Sequence, residues 1–179
     1  MAALVLVALV LGSTALLAAE SDKIKIGEFI PAASPQPAPQ ISVTDMAGNT
    51  VELGDFKGKF LIVNLWATWC QPCLKEMPSL EALQAKLDPA VTVLAISEDR
   101  GGAEAVKPFA EKLGLDKVKI YLDPKSTATK AIGARGLPTS IVVDADGMVL
   151  GRVEGAADWN SVEMLAALKK LMPINSPGR

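Results

Sequence analysis

Histidine is absent from the 179-residue sequence, and cysteine occurs only twice. Without histidine there is no Ser-His-Asp triad, no Cys-His nucleophile pair and no zinc site with a histidine ligand. Two cysteines in one chain are also too few for a thiol-rich zinc site or for the disulfide framework of a small secreted protein. The pair formed by Cys70 and Cys73 therefore has to be explained by itself.

An excess of charge of either sign is also missing, because 18 lysines and arginines stand against 20 acidic residues. This balance provides no basic field for a phosphate backbone, so we expect no nucleic-acid partner. The length predicts one domain plus a tail. The hydrophobic fraction of 50% is raised by an uncharged stretch at residues 2–19, and the remainder has an ordinary soluble composition.

The apolar stretch at residues 2–19 has two interpretations. As a helix it would rise about 27 Å, close to the roughly 30 Å of the bilayer core. A cleaved signal sequence is the alternative, but cleavage after Ala19 would place Leu17 where a small residue is preferred. We favour an uncleaved membrane anchor. No lysine or arginine precedes Lys23, so the charge rule does not fix the orientation.

A proline-rich stretch at residues 31–40 follows the anchor. Its composition favours extended polyproline II, so we predict a linker over residues 20–40 and a folded domain over residues 41–179. A surface arm that lies across the domain is the alternative.

Strand and helix patterns alternate from residue 41 onward. Strands are predicted at 41–44, 50–53, 60–66, 91–96, 118–122, 139–143 and 148–153, with glycine-containing turns inside the first and last pairs. Helices are predicted at 71–87, 103–113, 127–132 and 159–171, the first bent at Pro78 and the last capped by Ser161 or Asn160. The pattern predicts an α/β fold with a central mixed sheet flanked by helices, an N-terminal hairpin and a helix-strand insertion.

The cysteines follow the apolar run 60–66 directly, at the start of the next helix. Free N–H groups and the helix dipole at that position stabilise an anion, so the pKa of Cys70 should fall below its free value and Cys70 should be the attacking thiolate. Cys73, one turn later, can resolve the mixed disulfide and should be less exposed. Pro72 suits the first helical turn. Spacing alone does not give the redox potential or the direction of electron flow.

Two stretches resemble the thioredoxin superfamily: the run from Leu65 to Cys73, with Trp-Cys-Gln-Pro-Cys, and the run Arg135-Gly136-Leu137-Pro138-Thr139. Within that superfamily the chain is similar to the membrane-anchored periplasmic branch that includes TlpA and ResA, and most similar to TlpA. The further cues are the run from Lys75 to Pro78 and the run from Gly155 to Trp159. The resemblance covers about residues 41–172.

The resemblance implies that Pro138 is a cis proline packed against the disulfide, with Leu137 offering backbone groups to an extended substrate. Leu137, Pro138, Gln71 and Pro72 are the predicted substrate-binding residues. An ordinary trans proline at the start of a strand is the alternative for Pro138.

Glu76 matches the acidic residue that reductases of this branch carry after the motif, and a carboxylate there could transfer a proton. A solvated helix glutamate is the alternative. Asn64 stands where cytoplasmic thioredoxins carry a buried aspartate, so that proton route is missing. Trp69 is predicted to shield the site, whereas Trp66 and Trp159 are predicted to pack in the core.

The leading hypothesis is a periplasmic protein disulfide reductase, anchored at the inner membrane or secreted as a soluble protein. It would take electrons from a membrane dithiol donor and reduce client proteins in cytochrome oxidase or cytochrome c assembly, including copper-site cysteines. We expect no cofactor and no resident metal. A Cu(I)-binding module in which both thiolates hold the metal is the alternative from another class, and a dithiol oxidase or isomerase is the alternative enzyme.

Overall fold

The structure, a computed structural model, describes residues 27–87 and 89–171. Its elements alternate between strand and helix over most of this length, as the sequence predicts. The strands are β1 (Phe29–Pro37), β2 (Ser42–Asp45), β3 (Thr50–Glu52), β4 (Phe60–Trp66), β5 (Val91–Ser97), β6 (Lys119–Leu122), β7 (Thr139–Val143) and β8 (Met148–Glu154). The helices are α1 (Gln71–Gln84), α2 (Gly102–Leu113), α3 (Thr127–Ile132) and α4 (Val162–Lys169), with a short 3-10 helix at Leu53–Phe56.

The strands form one mixed sheet in the order β1-β8-β7-β4-β5-β6-β2-β3. Strand β4 runs parallel to β5 and antiparallel to β7, and β2 with β3 forms the predicted hairpin. The predicted α/β fold with a central mixed sheet flanked by helices is confirmed. Strand β4 lies between β7 and β5, so its carboxyl end is near the middle of one edge of the sheet. Open α/β sheets usually place their functional sites at the carboxyl ends of their strands.

The central strand β4 sends alternate side chains to two different cores. Ile62 and Trp66 enter a first core, together with apolar side chains of α1, α2 and α4. Leu61 and Leu65 enter a second core, together with side chains of α3 and the hairpin. This period of two is the expected geometry of a strand buried on both faces.

Helix α1 ends at Gln84, three residues before the predicted end. Beyond it, the N–H groups of Lys86 and Leu87 donate to the carbonyls of Leu83 and Gln84, 2.8 and 3.3 Å away. These bonds span three residues instead of four, so the last turn tightens and the regular helix stops. Pro78 lies inside the helix as predicted.

Most of the proline-rich segment is a strand and not a spacer, which corrects the predicted linker over residues 20–40 for the part that the structure describes, from residue 27 onward. Strand β1 pairs antiparallel with β8, with a break in register between Pro31 and Gln36. Prolines are tolerated there because β1 is an edge strand and one side of it needs no N–H donors. The folded domain therefore begins before residue 41, closer to the alternative of an arm that lies on the domain.

Helix α4 is shorter than predicted, because it begins at Val162 and ends at Lys169. Ser161 is its N-cap, and the Ser161 hydroxyl accepts a hydrogen bond from the Met164 N–H at 3.2 Å. Trp159 lies before the helix, and its side chain is fully buried in the first core. The predicted anchor at residues 2–19 lies outside the described residues.

Candidate active site

The cysteine pair lies at the carboxyl end of β4, where the chain turns into α1. Cys70 is the N-cap of α1 and Cys73 lies in its first turn. The two residues form a disulfide, with their Cα atoms 5.3 Å apart. Both sulfurs therefore lie where the free N–H groups of a helix start are concentrated.

The two cysteines are not equivalent. Cys73 is fully buried, whereas Cys70 retains 5% exposure. The Cys73 N–H points at the Cys70 sulfur, with 3.3 Å between nitrogen and sulfur. After reduction, the same N–H and the helix dipole stabilise a negative charge on Cys70 rather than on Cys73. This geometry supports Cys70 as the attacking thiolate.

The loop before the cysteines is held by Asp99, a residue that sequence reasoning did not single out. The Asp99 carboxylate accepts hydrogen bonds from the Thr68 N–H at 2.8 Å and from the Thr68 hydroxyl at 2.6 Å. Asp99 itself follows β5, the parallel neighbour of β4. The segment after β5 thus holds the loop that leads from β4 to Cys70. This contact joins residues that are far apart in the sequence.

Three predicted site residues next to the cysteines face solvent. Trp69 is 67% exposed, and Gln71 and Pro72 are also exposed. Trp69 thus presents a large apolar ring at the surface, where a partner could bury it. Its predicted shielding role, and the predicted contacts of Gln71 and Pro72 with substrate, stay predictions.

The Leu137–Pro138 peptide bond is cis. Pro138 is buried and Leu137 is half-buried. Thr139 starts β7 and pairs with Leu65 near the end of β4, so Pro138 lies at the same sheet edge as the cysteines. The Pro138 carbonyl accepts from the Gly155 N–H at 2.9 Å, which ties this loop to the end of β8.

Glu76 is buried inside the first core, with 3% exposure, so the alternative of a solvated helix glutamate is wrong. Its Oε1 accepts a hydrogen bond from Asn64 Nδ2 at 2.7 Å. Its Oε2 accepts from the Ala157 N–H at 3.0 Å and from Trp159 Nε1 at 3.2 Å. A carboxylate with three donors and no charged partner among these contacts is unusual in a protein core.

Burial raises the pKa of Glu76 from 4.5 to about 7, and the hydrogen bonds from Ala157, Asn64 and Trp159 oppose that rise. A carboxyl group that titrates near neutral pH can take up or release a proton under physiological conditions. Glu76 lies three residues after Cys73 on the same buried side of α1, and this spacing makes the two side chains neighbours.

Asn64 and Trp159 were predicted to be buried, but their bonds to Glu76 were not predicted. Asn64 Nδ2 also donates to the Ser140 hydroxyl oxygen, 2.9 Å away. Ser140 belongs to β7 and Trp159 to the loop after β8, more than 60 residues beyond Glu76. No local pattern in the sequence relates such distant residues, and the run from Gly155 to Trp159 was the one signal.

Two features of the described part of the chain bear on metal and membrane binding. Over residues 27–87 and 89–171, no helix has both the length and the apolar character needed to cross a bilayer. Within the same ranges, no group of three or more cysteine, aspartate or glutamate side chains is arranged to hold a metal ion.

Comparison with known proteins relates the chain to redox proteins. The family model described as Redoxin matches residues 33–168. The thiol-disulfide oxidoreductase ResA of Bacillus thuringiensis subsp. konkukian is 38% identical over 137 residues, which cover 76% of this chain and 77% of the relative. ResA of Bacillus anthracis is 35% identical over 156 residues, which cover 87% of this chain and 83% of the relative.

Similarity extends to solved structures. The crystal structure of a putative thiol:disulfide interchange protein DsbE from Chlorobium tepidum matches with a TM-score of 0.65 and 26% identity. The match covers 76% of this chain and 92% of that protein. The match supports a thioredoxin-like fold.

Proposed function

Because the chain belongs to the Redoxin family and is a ResA-like thiol-disulfide oxidoreductase with a thioredoxin-like fold, we propose that it works as a reductase of client disulfides outside the cytoplasm. The observation that carries this proposal is the disulfide at the start of α1 with the buried Glu76 on the same helix. A purely structural disulfide is a weaker explanation, because closing a loop this short adds little stability. It would also not account for the buried Glu76.

The reaction follows from the unequal cysteines. In the reduced protein, the Cys70 thiolate attacks one sulfur of a client disulfide, so a Cys70–client bond forms and the second client sulfur leaves as a thiolate. Cys73 then loses its proton and attacks the Cys70 sulfur. The Cys70–Cys73 disulfide forms, the remaining client sulfur leaves, and two electrons have passed to the client.

Glu76 accepts the proton that Cys73 loses, directly or through one water, in this proposal. Burial of Cys73 disfavours its thiolate, so a base inside the core is required for the second attack. The pKa of about 7 for Glu76 leaves a large fraction of it ionised and ready to accept that proton at neutral pH. Asn64 provides no such group because an amide does not titrate.

In this proposal the client binds across Gln71, Pro72 and the Leu137–Pro138 loop, and Trp69 shields the site next to Cys70. Leu137 offers backbone groups to an extended client segment. We further propose that the clients belong to cytochrome oxidase or cytochrome c assembly, including copper-site proteins, and that a membrane dithiol carrier returns electrons to Cys70 and Cys73. Residues 2–19 provide the membrane anchor in this proposal.

The direction of electron flow is tested by two matched assays on the full chain. Reduced protein is mixed with a disulfide-bonded Cys-x-x-Cys-His peptide, the pattern of haem attachment, and oxidised protein is mixed with the same peptide as a dithiol. We expect rapid reduction in the first assay and little oxidation in the second. Rapid oxidation in the second assay would instead identify a dithiol oxidase.

Two variants complete the test. Cys73→Ser should accumulate a Cys70–peptide mixed disulfide, and Cys70→Ser should accumulate none. A copper arm uses the reduced protein with Cu(I) and a competing chelator. Tight Cu(I) retention without reduction of the peptide would support the metal-binding alternative and overturn the reductase proposal.

A further inference from the structure

The hydrogen bonds around Glu76 fix which of its two oxygens can carry a proton. Oε2 already receives two N–H donors, from Ala157 and from the Trp159 ring. Oε1 receives one donor, Asn64 Nδ2, at 2.7 Å. Both lone pairs of Oε2 are engaged, whereas Oε1 has one lone pair free, so the acid form carries its proton on Oε1.

Protonation of Oε1 creates an O–H donor that has no acceptor among the groups bonded to Glu76, because the end of the Asn64 amide that meets Oε1 is Nδ2. Nδ2 has no lone pair to accept an O–H, and both of its hydrogens are engaged, one by Glu76 and one by the Ser140 oxygen at 2.9 Å. The other end of the amide, Oδ1, is buried and has no protein donor within the described residues. The observed arrangement therefore satisfies the carboxylate and conflicts with the acid.

A half-turn of the Asn64 amide removes this conflict with no movement of the backbone. Oδ1 then takes the place of Nδ2 and accepts two hydrogen bonds, one from the protonated Glu76 and one from the Ser140 hydroxyl. The serine hydroxyl can change from acceptor to donor because its hydrogen rotates freely. Nδ2 moves to the position that Oδ1 holds now.

We propose that Asn64 and Ser140 are positioning residues that form a hydrogen-bond switch, in which the amide of Asn64 rotates and the hydroxyl of Ser140 reverses its role whenever Glu76 gains or loses a proton. This inference rests on the proposed proton transfer by Glu76. Its consequence is that both protonation states of Glu76 are hydrogen-bonded inside the core. The O–H of the acid then has an acceptor, while the two Nδ2 hydrogens take the buried position in which Oδ1 now has no partner among the described residues.

The location of Ser140 connects the switch to the predicted client-binding residues. Ser140 is the second residue of β7 and follows the Leu137–Pro138 loop by two residues, and its neighbour Asn64 belongs to the strand that leads to Cys70. A change at Glu76 therefore reaches both strands that present the predicted client-binding residues. The groups that donate hydrogen bonds to Glu76 from β4 and from the loop after β8 are uncharged. Cys73 on its own helix, with Lys75 and Asp158 in the adjoining cleft, are the nearby titratable groups.

The switch is tested by NMR on the oxidised protein, in which neither cysteine titrates. The carboxyl carbon of Glu76 reports its protonation, and the Overhauser effect between the Asn64 side-chain amide protons and the Ser140 β-protons reports the amide orientation. We expect that effect above the midpoint of the Glu76 titration and its loss below the midpoint. An effect that persists unchanged on both sides of the midpoint would overturn the proposal.

A variant separates the switch from a fixed donor. If Asn64 only donated to the carboxylate, Asn64→Val would raise the midpoint of Glu76 by about one pH unit or more. With a switch, both protonation states lose a bond, so we expect a rise of less than about half a pH unit. Should the variant not fold, the measurement on the wild-type protein decides alone.

Two further comparisons keep this test apart from the proposed function. In Ser140→Ala, the change of the Asn64 amide signals across the Glu76 titration should differ from the change seen in the wild type. In Ser97→Ala, which removes a buried hydroxyl bonded to Asp99 instead, they should behave as in the wild type. A working switch in a protein whose Glu76→Gln variant keeps full reductase activity would overturn the role of Glu76 but not the switch. If the Asn64 amide stays fixed while reductase activity requires Glu76, the switch is overturned and the role of Glu76 is not.

Discussion

The two faces of the sheet carry cores of different character. The second core, between the sheet and α3, is built from apolar side chains, and the buried carboxylates next to it, Asp123 and Glu98, bond to residues of α3. The first core, between the sheet and α1, α2 and α4, contains the disulfide, and the buried Glu76 and Asn64 lie on the same side of the sheet. Asp123 accepts from the Ala128 N–H and so fixes the start of a helix, whereas Glu76 lies inside α1 beside Cys73, so its burial indicates chemistry rather than folding.

The largest effect is expected from damage to the second core. Leu94→Ala removes a side chain with 2% exposure, and such a change typically costs about 2–5 kcal/mol of the free energy of unfolding. Denaturant unfolding of the oxidised protein measures this loss. Under conditions where the variant is folded, its reduction potential should match the wild type. A shifted potential would show that the two faces are not independent.

A second prediction concerns the pH dependence of stability in the first core. Folding raises the pKa of Glu76 from 4.5 to about 7, so the folded state favours the protonated form. The resulting stabilisation is complete below pH 4.5 and is lost as the pH rises through about 7, and the difference corresponds to about 3 kcal/mol.

Glu76→Gln serves as the reference for that measurement, because glutamine does not titrate. The free energy of unfolding of the oxidised wild type should fall relative to the variant between pH 4.5 and pH 8. Parallel curves for the two proteins would contradict the raised pKa. In the reductase assay, the same variant should lose the pH dependence that belongs to Glu76.

The sequence was sufficient to predict the order of elements and the cysteine pair, because both depend on local patterns. The apolar run of β4, the proline in the first turn of α1 and the glycine after α2 each act over a few residues. The strand at the proline-rich segment was missed because its stability depends on a distant partner, β8. The donors to Glu76 were missed for the same reason, since they come from β4 and from the loop after β8.

A smaller effect is expected from a single donor to Glu76. Trp159→Phe keeps most of the buried ring but removes the Nε1–H that bonds Oε2 at 3.2 Å. This hydrogen bond lowers the pKa of Glu76, so its removal should raise the titration midpoint, by about one pH unit for a bond to a charged group. Carbon NMR of the carboxyl group measures the midpoint.

Trp66→Phe is the matched control for that change. Trp66 is also fully buried, but its Nε1 has no hydrogen-bond partner within the described residues. The control should lose a similar amount of packing and leave the midpoint of Glu76 where it is. Equal midpoints in the two variants would mean that packing, and not the hydrogen bond, acts on Glu76.

The smallest effect is expected at the start of α4. Ser161→Ala removes the N-cap bond to the Met164 N–H and should cost about 1 kcal/mol of the free energy of unfolding. Thermal unfolding measures the cost. The titration of Glu76 should not change, because the cap contacts neither the carboxyl group nor its donors. A shifted titration of Glu76 would show that the start of α4 also affects the Glu76 carboxyl group.

The most direct test of the reductase account is the equilibrium reduction potential of the Cys70–Cys73 pair against glutathione, with Cys70→Ser as the control that forms no intramolecular disulfide. The account predicts a potential closer to the roughly −270 mV of thioredoxin than to the roughly −120 mV of the oxidant DsbA. A value near that of DsbA would contradict it, because a pair that oxidising would take electrons from client dithiols instead of delivering them.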